Sequence, residues 1–324
     1  MNDKYNNILD AIGNTPLIKL NNISRDLKAS IYVKLEFLNP GGSVKDRIAL
    51  YMIEKAEREG KIKPGDTIIE NSSGNTAMGL AIVCRHKGYK LVVVVRDTTS
   101  KEKVKMLEVM GVEVIKANTK LPPEHSESYN NYAQNLAKDN PRLYYIDQHN
   151  NLENNETHYK TTGPEIWEQM NGKVDYLIGA IGTGGTMTGT GRFLKEKNPN
   201  VKIIGLDPIG SVFYNYFKYK ELIKPSKYLI EGMGDEFLIK TALLDELDDM
   251  YQVDEKKAFG WTKKLAFEEG ILVGGSSGAN IWGAVKLAKD IDREANIVTI
   301  LCDSGYKYFS SIYNDDWWAE NNLL

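Results

Sequence analysis

The stretch DYLIGAIGTGGTMTGTG, residues 175–191, runs from a short apolar segment through a glycine turn into a helical pattern. A strand that feeds a helix through glycines is the repeating unit of an α/β protein. The turn places Gly182, Thr183, Gly184, Gly185 and Thr186 at a helix start. The first N–H groups of a helix have no partner inside it, so this turn can cradle a phosphate without any cation. It is not a Walker loop, because no GK[ST] follows. It also misses the dinucleotide fingerprint, because Met187 stands where the last glycine is required.

The same alternation extends in both directions. Short apolar runs, SIYVKLE, DTIIE, KLVVVV, VEVIKA, KIIGLD and NIVTILCD, are separated by amphipathic segments such as SKEKVKMLEVMG and EKKAFGWTKKLAFEEG. Near-continuous runs such as LVVVV predict strands covered on both faces, hence largely parallel, doubly wound sheets. No 20- to 50-residue repeat or low-complexity linker appears. The expected architecture is therefore two interlocked lobes, with a boundary at the Asn-rich segment 147–158.

Three further glycine-rich stretches precede helical patterns. In NPGGSVKDRIAL, residues 39–50, Lys45 follows a glycine turn and opens a helix. In IENSSGNTAMGLAI, residues Ser72, Ser73, Gly74, Asn75 and Thr76 occupy a strand-to-helix turn of a size suited to a carboxylate. GILVGGSSGAN offers Ser276 and Ser277 before another helix. Taken singly, each is as compatible with a tight connection as with a site. Jointly they supply a positioned lysine, a carboxylate cradle, a phosphate cradle and a hydroxyl pair. That is the set of parts needed to hold pyridoxal phosphate and an amino acid against it.

The 324 residues are 42% hydrophobic and 26% charged, with a formal net charge of -3. This suits a globular chain, and no Lys/Arg block predicts a nucleic-acid or membrane-surface partner. No apolar run approaches the roughly 20 residues a membrane span needs. Cys84 and Cys302 lie in apolar runs, predicting buried thiols in a reducing compartment, and a cytoplasmic location follows. Four scattered histidines and two distant cysteines give no metal-ligand spacing.

The motifs LNPGGSVKDR, SSGNT, GTGGT and GGSSGA stand in the order and spacing of one family. The chain resembles the cysteine synthase and cystathionine β-synthase family of fold-type II pyridoxal-phosphate enzymes, from IGNTPLIKL near residue 12 to NDDWWAENNLL at its end. The segments DQHNN, HYKTTGPEIW and DSGYKYFSSIYNDDWW resemble the cystathionine β-synthase catalytic core more than the plain cysteine synthases. The resemblance implies a tryptophan synthase β-like fold. A smaller mobile lobe, 46–150, would bind the substrate carboxylate, and a larger lobe, 1–45 plus 151–324, would bind the cofactor phosphate. Neither a haem module nor a C-terminal regulatory domain is expected, and a homodimer is implied.

By the same resemblance, Lys45 is the Schiff-base lysine and the base at the α-carbon. Gly182, Thr183, Gly184, Gly185 and Thr186 hold the phosphate, Asn75 the cofactor 3'-hydroxyl, and Ser276 faces the pyridine nitrogen. Ser72, Ser73, Gly74, Asn75 and Thr76 bind the substrate carboxylate, with Gln148 reaching it. The implied reaction is β-replacement through an aminoacrylate, with small amino acids as substrates. The favoured form takes L-cysteine to hydrogen sulfide plus L-serine or a thioether. Alternatives are synthesis of cysteine or cystathionine from serine or O-acetylserine, a phosphoserine-dependent diamino acid synthase, and an inactive family-shaped binding protein.

The chain also departs from the family pattern. Ser72 replaces a usual threonine, Ala77 a usual glycine, and His149 a usual aromatic residue. The largest departure is Asp235 in EGMGDEF. It reads either as a solvated loop carboxylate or as a catalytic group that accepts a proton from an entering nucleophile while repelling anionic ones. His149 reads either as a packed ring or as a site residue.

Overall fold

A computed structural model describes residues 4–122 and 125–324. In chain order its strands are β1 (Leu17–Lys19), β2 (Ser30–Leu35), β3 (Thr67–Asn71), β4 (Lys90–Arg96), β5 (Glu113–Ala117), β6 (Leu143–Tyr145), β7 (Tyr176–Ala180), β8 (Lys202–Pro208), β9 (Asp249–Val253) and β10 (Asn296–Leu301). The helices are α1 (Lys45–Arg58), α2 (Asn75–Lys87), α3 (Lys101–Val109), α4 (Tyr129–Asp139), α5 (Glu153–Lys160), α6 (Thr162–Gln169), α7 (Gly185–Lys197), α8 (Phe213–Tyr219), α9 (Glu255–Glu269), α10 (Gly275–Ile291) and α11 (Asp315–Glu320).

The chain divides into two compact units. The first holds the described residues up to Ile12 together with Asn39–Glu153. Its four strands are all parallel, in the order β5-β4-β3-β6. Alternation along the strands divides the apolar side chains between two faces. Ile68, Val93 and Val95 pack with α1, α2 and α3, while Ile69, Val92 and Val94 pack with Ala133 of α4. Residues 91–95 of β4 are buried throughout, as a strand covered on both faces requires. Each such aliphatic side chain contributes about 1.5–3 kcal/mol on burial.

The second unit holds Gly13–Leu38 and Asn154–Leu324. Its six strands run β1-β2-β10-β7-β8-β9, with β1 antiparallel to β2 and the other pairs parallel. Ile178, Ile204 and Ile297 pack with α9 and α10 on one face. Their chain neighbours Leu177, Ile203 and Val298 pack with α6, α7 and α8 on the other. Both sheets are thus wound on two sides. Helix α9 matches its sequence pattern from cap to cap: Asp254 Oδ1 accepts from the Lys257 N–H, and Gly270 ends the helix at a φ of 71°.

The division sets its boundaries differently from the sequence reading. Residues 13–38 alone, rather than 1–45, join the second unit from the N-terminal side, and the later boundary falls after Glu153. The physical reasons are Leu9, which packs in the core of the first unit, and α1, which packs on α2 and takes the loop before it along. Gly79 of α2 is so close to α1 that a Cβ there would lie 3.1 Å from the Lys45 carbonyl oxygen. Of the two cysteines, Cys84 is buried, and burial pushes its thiol up to about 12, whereas Cys302 is only half-buried. Among the described residues no helix is long and apolar enough to cross a membrane, and no cluster of His, Cys, Asp and Glu could hold a metal ion.

Candidate active site

In the first unit, three sequence-predicted pieces come together. Lys45 is half-buried and opens α1, its backbone N–H donating to Ser43 Oγ at 3.2 Å. The loop before it is closed by Asp46, whose carboxylate accepts from the Gly41 N–H. A Cβ at Gly41 would strike that carboxylate, so the first glycine of the GGS turn is needed for space. Gly42 is needed for its φ of 71°.

The turn at residues 72–76 lies between β3 and α2. Gly74 caps α2 without any side-chain hydrogen bond, and no acid occupies the first turn. The helix end is therefore open to an external anion. Ser72 behaves differently from a simple ligand: its buried hydroxyl accepts from the N–H groups of Ala77 at 3.3 Å and Gly74 at 3.4 Å. Ser73 is half-buried and Gly74 exposed. Thr76 Oγ1 donates to Gln148 Oε1 at 2.7 Å, joining the two arms of the predicted cradle. Beside Gln148, burial pushes His149 down to about 4, against the opposing pull of Asp147 and with the Lys45 charge adding to the fall. His149 is thus a neutral ring near the lysine at neutral pH.

In the second unit, residues 182–186 link β7 to α7. Gly184 takes a φ of 81°, and a Cβ there would lie 2.5 Å from Ala242 Cα. At Gly182 a Cβ would strike the Gly232 carbonyl, and at Gly185 the Asn154 side chain. Only glycine fits these positions. Helix α7 has no side-chain N-cap and no acid in its first turn. A helix terminus without a capping side chain or an acid fits a phosphate. Ser276 lies in the first turn of α10, buried at 6% exposure, and this helix too lacks a side-chain cap. Helix α10 is fixed by Asn280, which accepts from the Ala180 N–H at 2.7 Å and donates to the Ile300 carbonyl at 2.6 Å. Ser277 is occupied structurally, its Oγ accepting from the Cys302 N–H.

The loop of Asp235 is docked on the phosphate-sized turn, the Gly234 N–H donating to the Ile181 carbonyl at 2.7 Å. The Asp235 N–H donates to Ser211 Oγ, its carbonyl accepts from Val212, and its Oδ1 accepts from the Glu236 N–H at 2.7 Å. The side chain is half-buried. Beneath it, Asp207 is fully buried, and burial pushes its carboxyl up to about 7 despite bonds from Ser211 and the Tyr214 N–H.

The structure adds a support that the sequence reading missed. Helix α5 presents three buried polar residues to the 182–188 segment. Asn154 Nδ2 donates to Thr183 Oγ1 at 3.0 Å, and Asn155 Nδ2 to Thr188 Oγ1 at 2.7 Å and the Thr241 carbonyl at 2.8 Å. His158 Nε2 lies 3.2 Å from Thr186 Oγ1, while its Nδ1 lies 2.9 Å from Thr162 Oγ1. The signal was available in NNETH: Asn154, Asn155 and His158 share one helical face, an unusual place for three polar groups unless they have partners.

Taken unit by unit, the residues have the chemistry pyridoxal phosphate needs: an amine on a helix start in the first, and a glycine turn at an uncapped helix and a neutral hydroxyl in the second. Comparison with known proteins agrees. Residues 8–303 match the family described as pyridoxal-phosphate dependent enzyme. The chain is 42% identical over 319 residues to cystathionine β-synthase of Apis mellifera, spanning 98% of this chain but 63% of that protein. It is 42% identical over 314 residues to cysteine synthase of Staphylococcus aureus, covering 96% of this chain and 97% of the relative. A solved hydrogen sulfide-producing enzyme from Fusobacterium nucleatum superimposes with a TM-score of 0.85 at 38% identity, over 94% of this chain and 98% of its own.

Proposed function

Because the chain belongs to the family of pyridoxal-phosphate-dependent enzymes, in its cysteine synthase and cystathionine β-synthase group, we propose that it catalyses β-replacement on L-cysteine. Hydrogen sulfide leaves, and water or a second thiol takes its place at the β-carbon. With water the balance is L-cysteine plus water giving L-serine plus hydrogen sulfide. The proposal includes a cytoplasmic homodimer, the latter testable by sedimentation.

When bound, the cofactor supplies an electron-withdrawing ring that makes the substrate α-proton removable and its β-substituent a leaving group. The chain's residues do the rest. Lys45 would hold the cofactor through its amine, and the same amine would move the α-proton of the substrate. The N–H groups of residues 182–186 and the Thr186 hydroxyl hold the phosphate. Asn75 binds the 3'-hydroxyl. Residues 72–76 bind the substrate carboxylate with Gln148, Ser72 acting mainly by shaping the turn. Ser276 would offer the ring nitrogen a neutral hydroxyl, a partner that would favour loss of the β-substituent over reprotonation at the α-carbon. Asp235 takes the proton of an entering water and opposes an entering anion.

The observation that carries the sulfide-releasing direction is the placement of Asp235, whose loop is anchored to the phosphate turn through Gly234 and Ile181. A carboxylate there suits a neutral nucleophile. The similarity to the Fusobacterium nucleatum enzyme supports the same direction. The test is a screen of L-cysteine, L-serine, O-acetylserine and O-phosphoserine, each with water, sulfide and homocysteine, with products separated. Sulfide and serine should appear from cysteine, and Asp235→Asn should depress serine far more than thioether. An unchanged product ratio in Asp235→Asn would return Asp235 to the status of a solvated loop residue. Rapid cysteine formation from O-acetylserine and sulfide, without sulfide release from cysteine, would reverse the direction.

A further inference from the structure

Glu70 is a carboxyl group that the chemistry above does not use. It lies on β3, two residues before the cradle, and is 0% exposed, with neither oxygen in a hydrogen bond of ordinary geometry. Leaving a carboxylate in such a place is costly. Its setting is the joint between the two cradle arms. On one side, β3 is firmly registered with β4: Glu70 pairs with Val93, Asn71 with Val94, and the Ser72 N–H donates to the Val94 carbonyl. On the other side, the ladder with β6 stops short. Ile69 pairs with Tyr145, and the Ile146 N–H makes a last bond of 3.2 Å to the Ile69 carbonyl.

Beyond that bond the chain turns at Asp147, which has a φ of 56°. The Asp147 carbonyl accepts from the N–H groups of Asn150 and Asn151, and its carboxylate accepts from Asn150 Nδ2 at 2.9 Å. Gln148 follows at once. The arm of residues 72–76 is thus tied to β4 through Ser72, whereas the contacts of the Gln148 arm include the turn beside Glu70, where Asn151 Nδ2 donates to the Ile146 carbonyl at 3.1 Å, and the Thr76–Gln148 bond.

We propose that Glu70 is a positioning residue for amino-acid binding: in its neutral form it lets the Gln148 arm close against Thr76, and its ionisation, beside Asp147, moves that arm away. This rests on the reading of residues 72–76 and Gln148 as the carboxylate cradle. Burial, and then the Asp147 charge, push the Glu70 carboxyl up to about 8, against partial relief from the N–H groups of Gln148, Asp147 and Asn71. Of the ionisable groups around it, Tyr145 on β6 stays neutral, burial pushing its phenol far up, and its hydroxyl donates to Asn71 Oδ1. Helices α1 and α2 cover the sheet face of Ile68 with Asp46, Arg47 and the neutral Cys84 among their buried groups. Among the described residues, Asp147 is the acid whose charge pushes the Glu70 carboxyl up. By linkage, a bound amino acid that needs the closed arm favours the protonated form of Glu70 to the same extent that protonation favours binding.

The experiment is calorimetric titration of the holoenzyme with L-alanine, which has no β-leaving group, at a series of pH values spanning the transition near about 8. The wild type should lose about tenfold in affinity across that transition relative to Glu70→Gln, whose profile follows the amine of the ligand alone. Asp147→Asn tolerates the same backbone and removes the like charge, so it should move the inflection to lower pH. A role confined to folding would not do this. Parallel profiles for wild type and Glu70→Gln, or an inflection unmoved by Asp147→Asn, would overturn the proposal. If Glu70→Gln does not fold, the wild type and Asp147→Asn still decide it. Gln148→Ala separates the underlying reading: wild-type affinity for L-alanine in that variant would remove the cradle assignment itself.

Discussion

At the scale of single residues, Lys45 and Ser276 carry the sharpest expectations, because each is proposed to touch the cofactor. Lys45 is half-buried and begins a helix whose packing is made by Ile48, Ala49, Met52 and Ile53. Lys45→Ala should therefore abolish turnover and the visible absorbance of the holoenzyme, while stability stays within about 0.5 kcal/mol. Turnover at the wild-type rate would end the assignment. Ser276→Asp enlarges a buried side chain but stands at an uncapped helix start that tolerates negative charge. A carboxylate would keep the ring nitrogen protonated and should slow β-replacement by about tenfold or more, equivalent to about 1.4 kcal/mol in the barrier. Unchanged kinetics and spectra would mean that Ser276 faces something else. Lys45 was legible because glycines and a helix start surround it. Asp235 was legible only as a departure from a pattern, since a carboxylate in a loop has no local signature, and its bonds to Ser211 and Val212 join segments more than twenty residues apart.

At the scale of elements, α5 is the support on which the turn proposed to hold the phosphate rests. Asn155 is buried, and its Nδ2 bonds both Thr188 Oγ1 and the Thr241 carbonyl. Asn155→Ala removes both bonds at a cost of about 1–3 kcal/mol. Because those bonds hold the turn rather than any reacting atom, the variant should release pyridoxal phosphate more readily in equilibrium dialysis, while kcat at saturating cofactor stays near wild type. A lowered kcat with unchanged cofactor affinity would refute that division of labour. The helix was invisible to periodicity because ENNETHYK is polar all round, and what stabilises it is a set of long-range side-chain bonds. Strands β1, β6 and β9 escaped for a related reason: two have only three residues, and DMYQV mixes polar and apolar positions at a sheet edge. By contrast β2, β3, β4, β5, β7, β8 and β10 fall on the apolar runs, and for all of these but the edge strand β5 burial writes itself into composition.

At the scale of the whole molecule, the pH dependence of stability is set by a few buried groups rather than by the many surface ion pairs. Exposed pairs such as Lys28–Asp292 are each worth little. Glu70 rises from an ordinary 4.5 to about 8 and Asp207 from 3.8 to about 7, in both cases chiefly through burial. A carboxyl with a raised folded value contributes stability that is complete below its unfolded value and is lost as pH rises through the folded one. His149 has the opposite sign, falling from 6.5 to about 4 by burial, so its contribution is complete above 6.5 and lost as pH falls toward 4. The two limbs place maximum stability on the acid side of neutrality. At about 1.4 kcal/mol per unit, and less as the folded group itself ionises near pH 8, Glu70 alone should cost about 2 kcal/mol between roughly pH 6 and pH 8. Thermal unfolding of the protein across this range should show the midpoint falling on the alkaline side. Combining Glu70→Gln with Asp207→Asn should flatten that limb and leave the acid limb in place, whereas His149→Phe should flatten the acid limb alone. A midpoint that is constant or rises between about pH 6 and pH 8 in the wild type would mean that both carboxyls are already ionised in the folded protein. It would also withdraw the basis on which Glu70 is assigned its role at the cradle.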